Sequence, residues 1–210
     1  MLRWIKEGEV GDWSIKHFEI DEQAANFANL RQMFGGYSRP VREGWYTGLY
    51  HKVRGVVMSD TPAEVGDLWA YKMKVKTAHD TRQSCKVHIS GLGLGICAEY
   101  AARHNHDVEV IEIDPDVIAL VGVRLMELYP DNVNIIQADA LNWKPMPDQR
   151  YGIVWHDIWD TICTDDLIEH TVLSSRFARR TSWQGLWCHD YLVRQRRRDR
   201  YQEEYYNAWR

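Results

Sequence analysis

Apolar and polar positions alternate with two different periods along this chain, and the change from one to the other divides it. The run DWSIKHFEI (Asp12 to Ile20) alternates, with Trp13, Ile15, His17 and Glu19 on one side, and predicts a strand. Ala24, Ala25, Phe27, Ala28 and Leu30 then recur at helical spacing behind the capping residue Asp21, and GGYSRP (Gly35 to Pro40) is expected to end that helix. GWYTGLYHKVRGVVM (Gly44 to Met58), rich in aromatic and β-branched residues, reads as a strand pair. Residues 1–60 are thus predicted to form a small β-rich lobe.

Residues 61–210 carry a different pattern. From Asp60, DTPAEVGDLWAYKMKV brings an N-cap, an early proline and apolar residues at helical spacing. Short apolar runs follow at KVHIS (Lys86 to Ser90), DVEVIEI (Asp107 to Ile113), NVNIIQ (Asn132 to Gln137) and YGIVWHD (Tyr151 to Asp157), separated by helix-like segments. A helix over roughly Asp165 to Arg179, a fifth strand over Ser182 to Asp190 and a helical tail complete the pattern. Alternating strands and helices predict an α/β, Rossmann-like parallel sheet in the order 3-2-1-4-5 with right-handed crossovers, shortened at its C-terminal end.

Composition narrows the setting. With 210 residues, 45% hydrophobic, 27% charged and ten tryptophans, the chain is that of a folded globular protein. No apolar run reaches the roughly 18 to 20 residues of a bilayer span, and Met1 to Glu9 lacks a signal-peptide core, so no membrane contact and a cytoplasmic location are expected. Cys85, Cys97, Cys163 and Cys188 form no C-x-x-C pair and read as reduced, mostly buried thiols. His88, His104, His106, His156 and His189 stand at no recognisable ligand spacing, and no metal is expected. The net charge of −4 is polarised: residues 191–210 hold six arginines against three acids. RQRRRDR (Arg194 to Arg200) reads first as a solvated helix face, with a nucleic-acid contact the less favoured alternative.

In open parallel sheets, ligands bind beyond the carboxyl ends of the strands. The first strand is followed there by GLGLG, in which Gly91, Gly93 and Gly95 permit a tight turn and close backbone approach, although glycines also serve plain strand-to-helix turns. The second ends in EIDP: Glu112, 21 residues beyond Gly91, is placed to hold a ribose through its hydroxyls, while Asp114 caps the next helix ahead of Pro115. The third ends in QADAL, where Asp139 and the Ala140 N–H could meet an adenine edge. Leu92 and Ile113 complete the candidate cofactor contacts. The fourth ends in HDIWD, with Asp157 and Asp160 projecting into a cleft walled by Trp155 and Trp159; the plainer alternative is that both acids cap the helix after them.

The run VHISGLGLG, VIEIDPDVI, QADA and DIWD resembles class I S-adenosylmethionine-dependent methyltransferases, and among them the spermidine synthase-like branch, over about residues 45 to 160. Glu112, Asp114 and Val117 match that branch's E-x-D-x-x-V element, and Asp157 and Asp160 its D-x-x-D pair. GVVMSDTPAE (Gly55 to Glu64) is similar to its hairpin-to-helix junction, which implies an amino-terminal lobe closing one side of the site. The departures are Leu94 where the branch has aspartate, Met58 where it has glutamine, and Asp67 and Trp69 near where it has tyrosine and an acid; they argue against spermidine synthesis itself.

The resemblance implies S-adenosylmethionine, or its decarboxylated form, as cofactor. A methyltransferase acting on a small, cationic acceptor is the leading expectation, with Asp157 as base, and Asp160, Trp155, Trp159 and Tyr46 holding the acceptor. Aminopropyl transfer, breakdown of the cofactor, and a non-catalytic binding role remain as alternatives. So does nicotinamide binding, because Gly93, Gly95 and Ala98 also satisfy G-x-G-x-x-[G/A] with Glu112 nineteen residues after Gly93. A homo-oligomer formed through the N-terminal lobe is left open.

Overall fold

A computed structural model describes residues 1–35 and 41–208, the side chains of 31–35 and 207–208 excepted. The first sheet is antiparallel, in the order β1 (Gly8–Val10), β2 (Trp13–Ile20), β3 (Gly44–His51), β4 (Gly55–Ser59), with α1 (Glu22–Gly35) between β2 and β3. Next come α2 (Pro62–Val65) and α3 (Trp69–Asp80), joined by a 3-10 turn over Gly66–Leu68.

The second sheet is built of β5 (Lys86–Ser90), β6 (Asp107–Glu112), β7 (Val133–Gln137), β8 (Tyr151–His156) and β9 (Thr181–Leu186). All pairings are parallel and the order is β7-β6-β5-β8-β9, the Rossmann-like arrangement expected from the alternation. Between the strands run α4 (Ile96–Arg103), α5 (Pro115–Val117), α6 (Val123–Leu128) and α7 (Leu167–Phe177), and α8 (His189–Ala208) follows β9. No helix among the described residues is long and apolar enough to cross a membrane.

The two sheets share one core. Trp13, Ile15 and Leu49 of the first pack in the same cluster as Val87, Ile89, Val108 and Ile153 of the second, so the boundary near residue 60 does not divide the hydrophobic interior. A bulge where Leu49 pairs with Met58 and Tyr50 with Val56 leaves Val57 as the extra residue, and it brings Val56, Val57 and Met58 together onto one cleft wall.

Several local expectations are corrected. The helix begun at Asp60 is interrupted at Gly66; Asp60 does not cap it, because it accepts from Thr47 N–H at 2.6 Å and pairs with the Met1 amine at 3.1 Å, and Thr61 takes the N-cap position with its hydroxyl 3.0 Å from Ser59 Oγ instead of on a helix N–H. Along α1 only Ala25 of the expected stripe is buried, while Phe27 and Leu30 are exposed; Asp21 does cap it, accepting from Ala24 N–H. Beyond Gly35, the segment expected to end α1 lies outside the described residues. β9 stops at Leu186, because Cys188 takes φ +53° and turns the chain into α8. Of the four free thiols, only Cys97 is buried and Cys163 is exposed.

Under the second sheet lies a chain of buried polar groups. Glu109 accepts from Tyr151 Oη–H at 2.6 Å and pairs with Lys86 at 2.9 Å; His88 bridges Glu109 and Ser90, and Ser90 Oγ stands 2.9 Å from His156 Nδ1. Burial pushes the His156 imidazole down to about 3 and that of His170 to about 4. Burial alone would raise Glu109, but bonds from His88, Tyr151 and Lys86 outweigh it and hold the carboxyl at about 2.

Each histidine has a folded-state pKa below its ordinary 6.5, so its contribution is complete above pH 6.5 and is lost as pH falls toward the folded value. Glu109 adds a loss in the same direction below pH 4.5. We therefore expect stability from urea denaturation to fall between pH 7 and 5 by about 2 kcal/mol for each of these two imidazoles, less an opposing gain of about 2 kcal/mol as the Asp157 carboxyl, raised by burial to about 7, takes up its proton. A stability that is level down to pH 5 would contradict the uncharged state of these imidazoles.

A carboxylate-lined cleft at the strand ends

Beyond the carboxyl ends of β5, β6, β7 and β8, and under the β3–β4 hairpin, lies a cleft of about 690 Å³. Its floor is the turn after β5. Gly91 and Gly93 have φ of +93° and +50°, where side chains are disfavoured. A Cβ at Gly91 would stand 2.0 Å from the Asp157 carbonyl oxygen, so only glycine lets β5 and β8 approach this closely.

The end of β6 grips this turn. Glu112 accepts from Leu92 N–H at 2.8 Å through one oxygen and from Asp114 N–H at 2.9 Å through the other. Asp114 does cap α5, accepting from Asp116 N–H, and it also accepts from the Trp13 indole at 2.6 Å, which pins the N-terminal sheet to this rim. At the end of β7, Asp139 accepts from Leu141 N–H. Arg176 of α7 donates to the carbonyls of Ala140, Leu141 and Trp143, fixing the loop that carries Asp139.

On the other side stand Asp157, Trp159 and Asp160. Asp157 keeps part of its surface open to the cleft although protein atoms crowd it elsewhere. Burial raises its carboxyl to about 7; the nearby Trp155 indole opposes this slightly without reaching hydrogen-bonding geometry, and the Glu64 charge adds to it. Glu64 is itself raised, by burial foremost, while it accepts from Ser59 N–H and Oγ–H. Trp159 donates its indole N–H to Glu169 at 2.7 Å with its ring on His170. Asp160 pairs with Arg54 at 2.5 Å, and that guanidinium lies 4.9 Å from the Trp13 ring. Eight Asp and Glu side chains line the cleft against one cation, Arg54, among the described residues.

The fold thus brings Gly91, Leu92, Gly93, Glu112, Ile113, Asp139, Ala140, Asp157, Trp159 and Asp160 to one cleft. Three expected residues lie elsewhere. Gly95, at φ +70°, packs against Trp4 and Val121 at the start of α4. Trp155 is a core residue, stacked on Trp183 and packed near Tyr71, because it lies within β8 before the strand end, where neighbouring side chains cover it. Tyr46 is buried in β3, its hydroxyl donating to Arg42 O. Sequence reasoning did not single out Glu64, Arg54, Trp13, Glu169 or Arg176; the first four line the cleft only because distant segments converge there. Met58, a departure from the resembled branch, covers Gly93 with its sulfur and accepts from Leu94 N–H at 3.4 Å.

No family model and no curated protein matches the sequence. Among solved structures, the 23S rRNA methyltransferase ErmE aligns at 17% identity over 54% of this chain and 44% of its own, with a TM-score of 0.41. A SAM-dependent methyltransferase from Agrobacterium tumefaciens aligns at 18% identity over 54% and 36%, with a TM-score of 0.40. The bifunctional kinase-methyltransferase WbdD aligns at 14% identity over 56% and 27%, with a TM-score of 0.44. The chain spans less than half the length of each of these proteins, and the likeness is one of fold.

Gly91→Ala is expected to cost about 2 to 4 kcal/mol, since it combines a left-handed φ with a backbone clash. Gly66→Ala, at φ −60° with open space around it, should be neutral or stabilise by up to about 1 kcal/mol. Equal urea midpoints for the two variants would remove the close approach of β5 and β8 as a requirement of the fold.

Proposed function

We propose that the protein is an S-adenosylmethionine-dependent methyltransferase whose acceptor is a small cation. One observation carries this reading: a nucleotide-sized cleft in which the glycine turn, Glu112 and Asp139 occupy consecutive strand ends, and the remaining wall is carboxylate-rich. Gly91 and Gly93 line the cleft with backbone alone, and Glu112 retains lone pairs for ribose hydroxyls beyond those held by Leu92 and Asp114. Asp139 and the Ala140 N–H suit the edge of an adenine.

When bound, S-adenosylmethionine supplies a methyl carbon made electrophilic by its sulfonium. Asp157 accepts the proton that the acceptor nitrogen loses as the new N–C bond forms and the C–S bond breaks. A carboxyl held near 7 suits this task better than an ordinary one, because it is a stronger base and still half ionised at neutral pH. Asp160 holds the acceptor's charge, exchanging it for that of Arg54, and Trp159 forms a flat wall beside it. Eight carboxylates repel a polyanionic acceptor from the cleft. The motifs favour the spermidine synthase-like branch, but Met58 and Leu94 offer no polar side chain over the turn, so methyl rather than aminopropyl transfer is proposed.

Calorimetry with S-adenosylmethionine, its decarboxylated form and NAD should show micromolar binding of the first alone. Glu112→Ala should weaken it by about 1 to 3 kcal/mol. Preferred binding of NAD, or an unchanged titration by the folded Glu112→Ala variant, would overturn the cofactor assignment.

Asp157→Asn should keep cofactor affinity while methyl transfer to a small amine falls by about 10² to 10⁴. Because Asp157 must be ionised to act, wild-type kcat/KM should rise with pH and level off above about 7, and Asp157→Asn should abolish that rise. Full activity in Asp157→Asn would remove this residue from the reaction. Release of methylthioadenosine without a methylated product would assign cofactor cleavage instead.

A further inference from the structure

α8 is 20 residues long, but only its beginning belongs to the body of the protein. Leu192 is buried and Tyr191 and Val193 half-buried, whereas every residue from Arg196 to Tyr206 is exposed. The packed end rests on α7 and on the turn Thr164–Asp166, with His189 Nδ1 3.0 Å from His170 Nδ1. A free helix of about a dozen residues is only marginally stable in water, so this segment gains from a partner.

The chemistry of that partner can be read from the exposed face. At 3.6 residues per turn, Arg194, Arg197, Arg198, Tyr201 and Tyr205 fall on one stripe, about 16 Å long from first to last. Tyr201 and Tyr205 are 72% and 65% exposed, on the same side of the helix as the three arginines. Residues 194–208 contain no Leu, Ile, Val, Met or Phe, and so offer neither a coiled-coil seam nor an anchor for an apolar groove. Guanidinium forks followed along the same stripe by flat rings match a ligand that presents both phosphates and bare base faces. A duplex hides those faces; a single strand displays them.

We propose that α8 beyond Val193 is a docking surface for a single-stranded polynucleotide, with Arg194, Arg197 and Arg198 on its phosphates and Tyr201 and Tyr205 stacked on its bases. The helix that carries this surface begins near the cleft, since Trp187 lines the cleft and stands two residues before α8. The carboxylates within repel the backbone, so the strand is held beside the cleft and not inside it. This inference does not depend on the methyltransferase reading.

Fluorescence anisotropy of the full chain with labelled single strands of about 15 nucleotides, in RNA and DNA arms, tests it across a salt series. Binding in either arm is expected, with the arms reporting which sugar is preferred. Replacing Arg194, Arg197 and Arg198 together by Gln, which preserves helix propensity, should lower the log affinity–log salt slope by about 2, as three lost phosphate contacts require. Tyr201→Ala with Tyr205→Ala should weaken binding at least about fivefold and leave that slope unchanged. No binding up to about 100 μM at low salt, displacement as effective by polyglutamate or by duplex as by a single strand, or full affinity in the tyrosine variant would overturn the proposal. Circular dichroism of each variant separates lost contacts from a lost helix.

Discussion

The site depends on how closely β5 and β8 come together at their carboxyl ends. Asp157 N–H donates to Ser90 O at 2.8 Å and Gly91 N–H to Ile111 O at 2.8 Å, so three adjacent strands are tied at the point where the chain turns. There is no room between them for a side chain at position 91. Asp157 consequently stands beside the glycine turn, and Glu112, one strand away, holds that turn through Leu92. The ligand-side arrangement is thus a property of the sheet's hydrogen bonding and not of any one loop.

So many carboxylates in one cleft repel one another, and the structure offsets this with donors that carry no net charge. Backbone N–H groups meet Glu112, Asp114, Asp139 and Glu64, and indole N–H groups meet Asp114 and Glu169. Asp157 lacks a comparable donor, and burial leaves its carboxyl near 7. The same physics that makes it costly makes it a base at neutral pH. Arg54 is the exception among the donors, a full charge reaching from the hairpin to Asp160, and it joins the two lobes across the cleft mouth. The charge polarity apparent in the sequence is therefore also spatial, with acids gathered in the cleft and arginines on the projecting part of α8.

Much of the fold was legible because period and punctuation agreed. Four of the five strands of the parallel sheet coincide with apolar runs closely followed by glycine or acid, and the helices between them called for parallel pairing with right-handed crossovers. The misses have local causes. α1 has helical spacing but little burial, because spacing reports what a helix can present and not what covers it. β1 is three residues long, too short for any period to show.

The residues at the strand ends could be chosen from the sequence alone, since the carboxyl edge of a parallel sheet follows from strand order, and Gly91, Glu112, Asp139 and Asp157 stand at four such ends. Tertiary structure decided which neighbours share their space. Trp155 and Trp159 look equivalent in WHDIWD, yet Trp155 lies within β8 and packs in the core, whereas Trp159 lies in the loop beyond the strand end and stands on the cleft wall. Arg54 and Asp160 are 106 positions apart, and Trp13 and Asp114 are 101 apart. Sequence determines where a strand ends because hydrophobic period and turn chemistry are local; only the packed chain determines what stands opposite that end, because contacts between distant segments leave no local pattern.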